Sequence, residues 1–160
     1  MPGAVRRAAP GDAAAIVEIR RAAWLEAYSP FLSVTFPREP ADEAQVWRDT
    51  LGEHAVWVTG APDGFASVDG CELTTLYVHP RSWGAGLGGA LHDVAVGHLR
   101  SHGCRSATLW VFEANARARR FYEARGWLPD PGVVEEGDAD WPVRALRYRL
   151  DLTRARRRTG

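Results

Sequence analysis

The 160-residue sequence predicts a mixed α/β fold in which helices cover both faces of a β-sheet. One reason is the order of the expected elements, because helices come early, a β-meander follows, and strands and helices then alternate up to a last strand. The other is a β-branched and aromatic segment ending at Val78, which a glycine-dense turn connects to an apolar-periodic helix. We expect a single domain over residues 1–152 and a disordered, arginine-rich tail over residues 153–160.

Hydrophobic spacing and chain-breaking residues set the expected bounds of the elements. In the first helix Ile16, Ile19 and Trp24 recur at helical spacing, and Asp12 is expected to cap its N-terminus. The expected elements are, in chain order, a strand over 5–8, a helix after residue 12, a helix over 41–51, strands over 55–59, 64–68 and 73–78, a helix over 89–102, a strand over 107–112, a helix over 115–125 and a strand over 143–152.

Composition excludes several classes of function. The 20 basic and 20 acidic residues balance, so no net charge attracts nucleic acid or a membrane surface. No apolar run of signal-peptide or membrane-spanning length follows the first residues. Cys71 and Cys104 are too few for a disulfide framework and lack metal-ligand spacing, which indicates a reducing compartment. We therefore expect a soluble, cytoplasmic protein that binds no metal, no nucleic acid and no membrane.

The turn from Gly84 to Gly89 is typical of a site for phosphate oxygens. Glycines let the backbone adopt positive φ and approach a ligand closely, and a helix start adds unpaired N–H groups and the positive end of the helix dipole. Gly84, Gly86 and Gly89 also satisfy the G-x-G-x-x-G pattern of dinucleotide-binding folds, and Glu113 lies near the expected place of the ribose-binding acid. This alternative is disfavoured because five residues, one of them a proline, separate Val78 from Gly84.

The β-segment and its glycine turn, followed by Asn115, Tyr122 and the pair Gly126–Trp127, resemble the GNAT superfamily of acyl-CoA N-acyltransferases. The resemblance extends from the strand near Val5 to Leu152. It implies a central, mostly antiparallel mixed sheet of about six or seven strands, with acetyl-CoA as the cosubstrate and CoA as the product. It also allows a homodimer formed through exposed sheet edges.

The resemblance implies roles for individual residues. Tyr122 would protonate the departing thiolate, and Trp83 stands where family members usually carry Arg or Gln. Because most cofactor contacts would come from the backbone, this departure leaves cofactor binding intact. The implied cofactor-binding residues are Leu76, Tyr77 and Val78, whose backbone would pair with the pantetheine arm and polarise the acetyl carbonyl, the turn residues Gly84, Ala85, Gly86, Leu87, Gly88 and Gly89, and Asn115, Ala118 and Tyr122.

Acetyl transfer from a thioester to an amine requires a neutral amine, stabilisation of the carbonyl oxygen and a proton for the sulfur. A tyrosine hydroxyl with a pKa near ~10 is well matched to a thiol whose pKa lies near ~8.5. Histone-type members place their base where this chain has Glu72, four residues before Leu76; a solvated strand-edge carboxylate is the other explanation of Glu72, and His79 and Glu113 are alternative bases. Ribosomal-protein alanine acetyltransferases place a base glutamate where this chain has Trp110, which disfavours an N-terminal alanine as the acceptor.

By the same resemblance, the acceptor pocket involves the first two helices, their connecting loop and the loop before the last strand. Residues 130–141 carry five carboxylates and no basic residue, which favours a cationic acceptor, although an ordinary solvated loop has the same composition. The expected function is acetylation of a small primary amine. Alternatives are a protein or peptide N-terminal acetyltransferase and a domain that binds acyl-CoA without turnover. The expected acceptor-binding residues are Trp24, Tyr28, Phe31, Asp138, Asp140 and Trp141.

Overall fold

The computed structural model of the protein describes residues 4–30, 32–139 and 142–153. Three expected acceptor-binding residues, Phe31, Asp140 and Trp141, lie outside the described residues, as does the expected tail from residue 154 onward. The described elements are β1 (Val5–Arg7), α1 (Ala13–Tyr28), α2 (Pro40–Thr50), β2 (Ala55–Thr59), β3 (Gly64–Asp69), β4 (Glu72–Val78), α3 (Leu87–Ser101), β5 (Ser106–Phe112), α4 (Ala116–Glu123), β6 (Leu128–Glu135) and β7 (Ala145–Asp151).

The strands hydrogen-bond in the order β1-β2-β3-β4-β5-β7-β6. Four of these pairings are antiparallel, namely β1 with β2, β2 with β3, β5 with β7 and β6 with β7. The pairing of β4 with β5 is parallel and joins Glu72 to Thr108. The predicted mixed α/β class with a mostly antiparallel sheet of six or seven strands is therefore confirmed, and the sheet has seven strands.

By their internal contacts the residues group into two compact units, and the single domain expected over residues 1–152 stays a prediction. The first unit comprises the chain up to Asp69 together with Leu73–His98. Its core forms where the apolar stripe of α1 packs against the inner residues of β2 and β3, as the helical spacing of that stripe requires. The buried core residues are Ile16, Ile19, Val56, Val58 and Phe65, and Tyr77 of β4 packs against them.

The second unit comprises Gly70–Glu72 and the chain from Leu99 onward. Its strands β5 and β7 pair along their whole length, from Ser106 with Asp151 to Phe112 with Ala145. Trp127 and Tyr148 are fully buried here. Both side chains are large and aromatic, so they bury a large apolar area in this unit.

Asp12 does not cap α1 as the sequence predicts. Its side chain makes no hydrogen bond to the first turn of that helix. Instead, the carboxylate accepts from the Ala9 N–H at 2.8 Å and forms a paired contact with the Arg6 guanidinium, with both N–O distances at 2.8 Å. The hydrogen bond from Arg6 lowers the pKa of Asp12. The carboxylate thus closes the short 3-10 turn (Pro10–Asp12) before the helix.

The strand β6 is absent from the sequence prediction, which treated most of it as an acidic loop. Pro129, Pro131 and Gly132 interrupt the strand pattern, and the pairing with β7 is irregular between Pro129 and Val134. Gly132 has a φ of +77°. Because β6 is hydrogen-bonded to β7 alone, its prolines remove no N–H from the interior of the sheet, which is where strand prolines are tolerated.

The structure bears on two expectations from composition, one about the cysteines and one about membrane-spanning segments. Cys71 and Cys104 form a disulfide with an S–S distance of 2.08 Å, so the cysteines no longer support a reducing compartment. Sequence spacing missed this pair because its members are 33 residues apart and are brought together only by the start of β4 and the end of α3. None of the helices in the described ranges combines the length and the apolar character needed to cross a bilayer.

Candidate active site

The glycine turn follows β4 through one 3-10 turn, Pro80–Ser82. Gly84 and Gly86 have φ values of +84° and +80°, a region that side chains with a Cβ rarely adopt. The hydrogen bond from the Ala90 N–H to the Gly86 carbonyl, at 3.2 Å, belongs to the first turn of α3. Ala90 is thus the first residue whose N–H is bonded within the helix, and the N–H groups of Leu87, Gly88 and Gly89 before it have no intrahelical acceptor.

This donor set fits a pyrophosphate. Successive backbone N–H groups, a positive helix end and exposed glycines are the features of an anion site that needs no cationic side chain. A Cβ built on Gly84 or Gly86 meets no atom within 4 Å, so the glycines are required for their backbone conformation, and they leave open space above the turn.

Trp83 has a structural role that explains its place in the turn. Its indole Nε1–H donates to the Val78 carbonyl at 2.8 Å. The side chain thereby fixes the glycine turn to the last residue of β4. Trp83 thus orders the turn through its side chain, and the backbone N–H groups of the turn are not used for this purpose.

The end of β4 is also fixed from the hairpin between β2 and β3. The His79 N–H donates to the Asp63 carbonyl at 2.7 Å, and the Arg81 guanidinium donates to the Asp63 carboxylate at 2.7 and 3.1 Å. The hydrogen bond from Arg81 lowers the pKa of Asp63. The His79 ring accepts from the Arg81 N–H at 3.3 Å and lies 3.9 Å from Glu18, so His79 takes part in local turn structure.

Replacement of Gly86 by alanine should weaken acetyl-CoA binding. A Cβ at φ +80° costs about 1–2 kcal/mol, so the turn of the free variant should relax to another shape. Binding must then restore the original shape at that cost, and we expect the dissociation constant to rise roughly 5- to 30-fold. Isothermal titration with acetyl-CoA measures it. Gly97→Ala is the matched control, because Gly97 lies inside α3 with open space around it, and alanine there should leave the affinity unchanged. Equal affinities for wild type and Gly86→Ala would contradict the phosphate role of the turn.

In the second unit α4 begins as the sequence predicts. The Asn115 side-chain oxygen accepts from the Ala118 N–H at 3.0 Å and caps the helix. The Ala118 N–H is therefore engaged in the cap. The side chain of Asn115 is partly exposed, whereas that of Tyr122, two turns later, is 9% exposed and packs edge-on against Phe121 and Trp127.

A three-residue network ties α4 to β7. Arg119 Nε donates to the Tyr148 hydroxyl at 3.0 Å, and this hydroxyl donates to Glu123 at 2.9 Å. Burial raises the pKa of Tyr148 against the lowering effect of Arg119. Both polar partners come from α4, and the helix that carries Tyr122 is thus held in one rotation about its axis.

Glu72, the expected base, is the first residue of β4 and is half-buried. It pairs with Thr108 of β5, and the Thr108 N–H donates to the neighbouring Cys71 carbonyl at 3.1 Å. Glu72 therefore lies beside the disulfide and in a stretch of parallel pairing between β4 and β5.

Trp24 and Tyr28, the two described residues of the first unit that are expected to bind the acceptor, meet in one aromatic group. Trp24 contacts the buried Tyr28 at 5.3 Å between ring centroids, and its indole Nε1–H donates to the Tyr77 hydroxyl at 2.9 Å. Burial raises the pKa of Tyr77, while the hydrogen bond from Trp24 and the charge of Arg20 act in the opposite direction. The sequence assigned Tyr77 through its backbone alone; the structure adds its side chain.

The acidic segment before β7 has carboxylates that are paired with arginines. Arg147 donates to Asp130 at 2.5 and 3.0 Å, and Arg144 lies 3.1 Å from both Glu113 and Glu136. Asp130 and Glu136 are thus already paired with arginines of the last strand and of the residues just before it. The exposed Asp138 belongs to the same segment.

Sequence reasoning missed Arg20, Phe36 and the side chain of Tyr77. Arg20 stacks on Trp24, with its guanidinium carbon 5.2 Å from the ring centroid, and lies 5.9 Å from the Phe36 ring centroid. The signal was present, because Arg20 and Trp24 are four residues apart and so share a face of α1. The contacts with Phe36 and Tyr77 come from distant segments and leave no local pattern.

A mixed sheet whose fourth strand leads through a positive-φ glycine turn into a helix is an arrangement that suits phosphate binding at the helix start. Residues 14–127 match the model of the acetyltransferase (GNAT) family, and the chain belongs to that family.

The relatives differ in how much of their length they share. The Mycothiol acetyltransferase of Geodermatophilus obscurus is 38% identical over 78 residues, which are 48% of this chain and 25% of that protein. Two further mycothiol acetyltransferases match over 20% and 19% of their lengths, so the chain spans a quarter or less of these relatives. The protein named Probable N-acetyltransferase Rv2775 of Mycobacterium tuberculosis is 29% identical and shares 81% of this chain and 87% of its own.

Solved structures share the fold at low identity. A GCN5-related N-acetyltransferase from Rhodopseudomonas palustris superposes with a TM-score of 0.74 at 22% identity, covering 94% of this chain and 96% of its own. The yncA protein of Salmonella typhimurium, solved with its cofactor acetyl-CoA, gives 0.69 at 22% identity and 94% of both chains. The PaiA N-acetyltransferase of Thermoplasma acidophilum, solved with coenzyme A, gives 0.70 at 16% identity and covers 92% of this chain and 97% of its own.

Proposed function

We propose that the protein transfers the acetyl group of acetyl-CoA to the primary amine of a small acceptor. The observation that carries the proposal is the turn with positive φ at Gly84 and Gly86, between β4 and the open N–H groups of α3. Family membership and the cofactors held by the yncA and PaiA structures support acetyl-CoA as the phosphate-bearing ligand.

Acetyl-CoA would supply an activated thioester: the neutral amine nitrogen bonds to the carbonyl carbon and gives up one proton, the carbon–sulfur bond breaks, and the sulfur takes up one proton as it leaves. The N–H groups from Gly84 to Gly89 hold the pyrophosphate. Backbone groups of Leu76, Tyr77 and Val78 pair with the pantetheine arm and polarise the acetyl carbonyl.

Two side chains move the protons in this proposal. The Tyr122 hydroxyl donates to the leaving sulfur as the general acid, and the Tyr148 network keeps α4 in the orientation that this requires. Glu72 removes the proton that the amine carries in water, directly or through ordered water, because only the neutral amine attacks. Asn115 contributes a contact to the cofactor beside its capping bond.

The acceptor is a small amine bound beside Trp24 and Tyr28. In this proposal the charges of Asp138 and Asp140 attract its ammonium group. The pairing of Asp130 and Glu136 with arginines reduces that attraction, so a strongly polycationic acceptor is not required.

Thermal unfolding with acetyl-CoA, CoA and NADH, each added separately, tests the cofactor. A ligand at 100 times its dissociation constant adds about 2.7 kcal/mol of stability, which corresponds to roughly 5–10 °C for a chain of this size. We expect a shift with acetyl-CoA and CoA, and release of free thiol when amines are added. A shift with NADH alone would establish the dinucleotide alternative, and a shift with acetyl-CoA but no thiol release from any amine would favour a non-catalytic binding domain.

A further inference from the structure

Two arginines of α1 share a single carboxylate. Arg20 Nη1 and Arg21 Nε each lie 2.8 Å from a different oxygen of Glu43, which belongs to α2 and is buried. Two guanidinium charges therefore face one carboxylate charge, and one positive charge is in excess. Because the group is partly shielded from water, that excess charge interacts more strongly with an anion than a surface arginine would.

The two arginines are not equivalent. Arg21 also donates from Nη2 to the Arg38 carbonyl and stacks at 4.5 Å on Phe36, and only 19% of its side chain is exposed. Arg20 gives Glu43 one donor, and 28% of its side chain is exposed. A guanidinium carries five N–H donors, and within the described residues nothing accepts from Nε or Nη2 of Arg20. The excess charge and the unused donors thus belong to Arg20.

The Tyr77 hydroxyl offers a second donor beside Arg20. It accepts the hydrogen bond of Trp24, so its own hydrogen is the one left to donate, and no side chain in the described part of the chain accepts it. Arg20 stacks on the same Trp24 ring at 5.2 Å. The Arg20–Trp24–Tyr77 group therefore offers a guanidinium edge and a phenol O–H beside one aromatic ring. Tyr77 is in β4, whose backbone we assign to the acetyl group.

We propose that Arg20 and Tyr77 bind a carboxylate of the acceptor, which makes the acceptor an amino acid or a close derivative. A single excess charge matches a monoanion, and the planar guanidinium matches a planar carboxylate with two parallel N–H···O bonds. This inference rests on the proposed acetyltransferase function. It identifies the recognised end of the acceptor, while the acetylated end is the amine.

The test compares acceptors that differ only in the carboxylate: L-phenylalanine with phenethylamine, L-leucine with isoamylamine, and L-ornithine with putrescine. O-phosphoethanolamine tests whether a phosphate is preferred. Thiol release at saturating acetyl-CoA gives kcat/KM for each, and thermal unfolding of the CoA-bound protein gives binding without turnover. For at least one pair we expect the amino acid to be favoured about 10- to 100-fold, the range of a charge-assisted bond.

Arg20→Gln should abolish this preference through a higher KM for the amino acid, and should change the KM of the matching amine far less. Tyr77→Phe should reduce the preference less. Arg21→Gln is the matched control, because it removes an equivalent bond to Glu43 but leaves Arg20 in place. It should keep the preference, whereas a purely structural role of the arginines would give equal effects in the two glutamine variants.

Equal turnover of both members of every pair, or a preference for O-phosphoethanolamine, would overturn the carboxylate inference and leave the acetyltransferase proposal intact. Failure of acetyl-CoA to raise the unfolding temperature would instead overturn the proposed function. If no amine releases thiol, the binding arm decides: stabilisation by an amino acid that is lost in Arg20→Gln and kept in Arg21→Gln supports the carboxylate site, and its absence contradicts it.

Discussion

Tyr122→Phe should lower kcat about 10²- to 10⁴-fold, the range that a general acid contributes, and leave the acetyl-CoA dissociation constant within about twofold of wild type. Phenylalanine keeps the ring contacts with Phe121 and Trp127. The backbone bond from the Trp127 N–H to the Tyr122 carbonyl also stays. The loss would therefore be chemical, and thiol-release kinetics together with titration of acetyl-CoA separate the two quantities.

Tyr148→Phe is the control for removing a tyrosine hydroxyl from the same unit. It leaves Glu123 and Arg119 without their shared partner, so the free energy of unfolding should fall by about 1–3 kcal/mol. The kcat of the folded variant should fall far less than that of Tyr122→Phe. A wild-type kcat in Tyr122→Phe would assign the proton of the thiol to water.

Replacement of both Cys71 and Cys104 by serine should lower the free energy of unfolding by about 3–4 kcal/mol, because a 33-residue loop in the unfolded chain loses its closure. The unfolding temperature should drop by roughly 6–15 °C. Calorimetry of the oxidised wild type and of the double variant measures the difference.

Wild-type protein unfolded in a reducing agent is the matched comparison, since it should behave like the double variant. Identical unfolding temperatures with and without reductant would mean that the bridge adds no stability. The activity of the reduced protein has separate value, because Glu72 follows Cys71 directly and any change in kcat would report on the position of the proposed base.

The elements with strong periodicity were predictable, and those set by distant contacts were not. Strand β2 agrees with its predicted bounds, and α1 carries its apolar residues on the face that the spacing indicates. Strand β6 was not predicted, because two prolines and a glycine interrupt the strand pattern of a segment that pairs with β7 alone. Asp12 was assigned to the wrong bond because the position of Arg6 cannot be read from capping patterns.

The same division holds for the candidate site. The glycine turn and the Asn115 cap are local motifs with a fixed backbone consequence, and the sequence contains all of their residues in order. The hydrogen bond between Trp24 and Tyr77 spans 53 residues, and the ion pairs of Glu43 span 22 and 23. These contacts depend on how α1 packs against β4 and α2, which periodicity alone does not specify.

The prolines of β6 also bear on self-association. A second copy that added a strand along β6 would need a continuous row of N–H donors, and Pro129 and Pro131 supply none. The positive φ of Gly132 turns the backbone again just beyond them. At the opposite end of the strand order β1 is only three residues long, so neither outer strand offers a long ladder for a neighbouring molecule. Within the described residues, both outer strands of the sheet therefore oppose uncontrolled edge-to-edge growth.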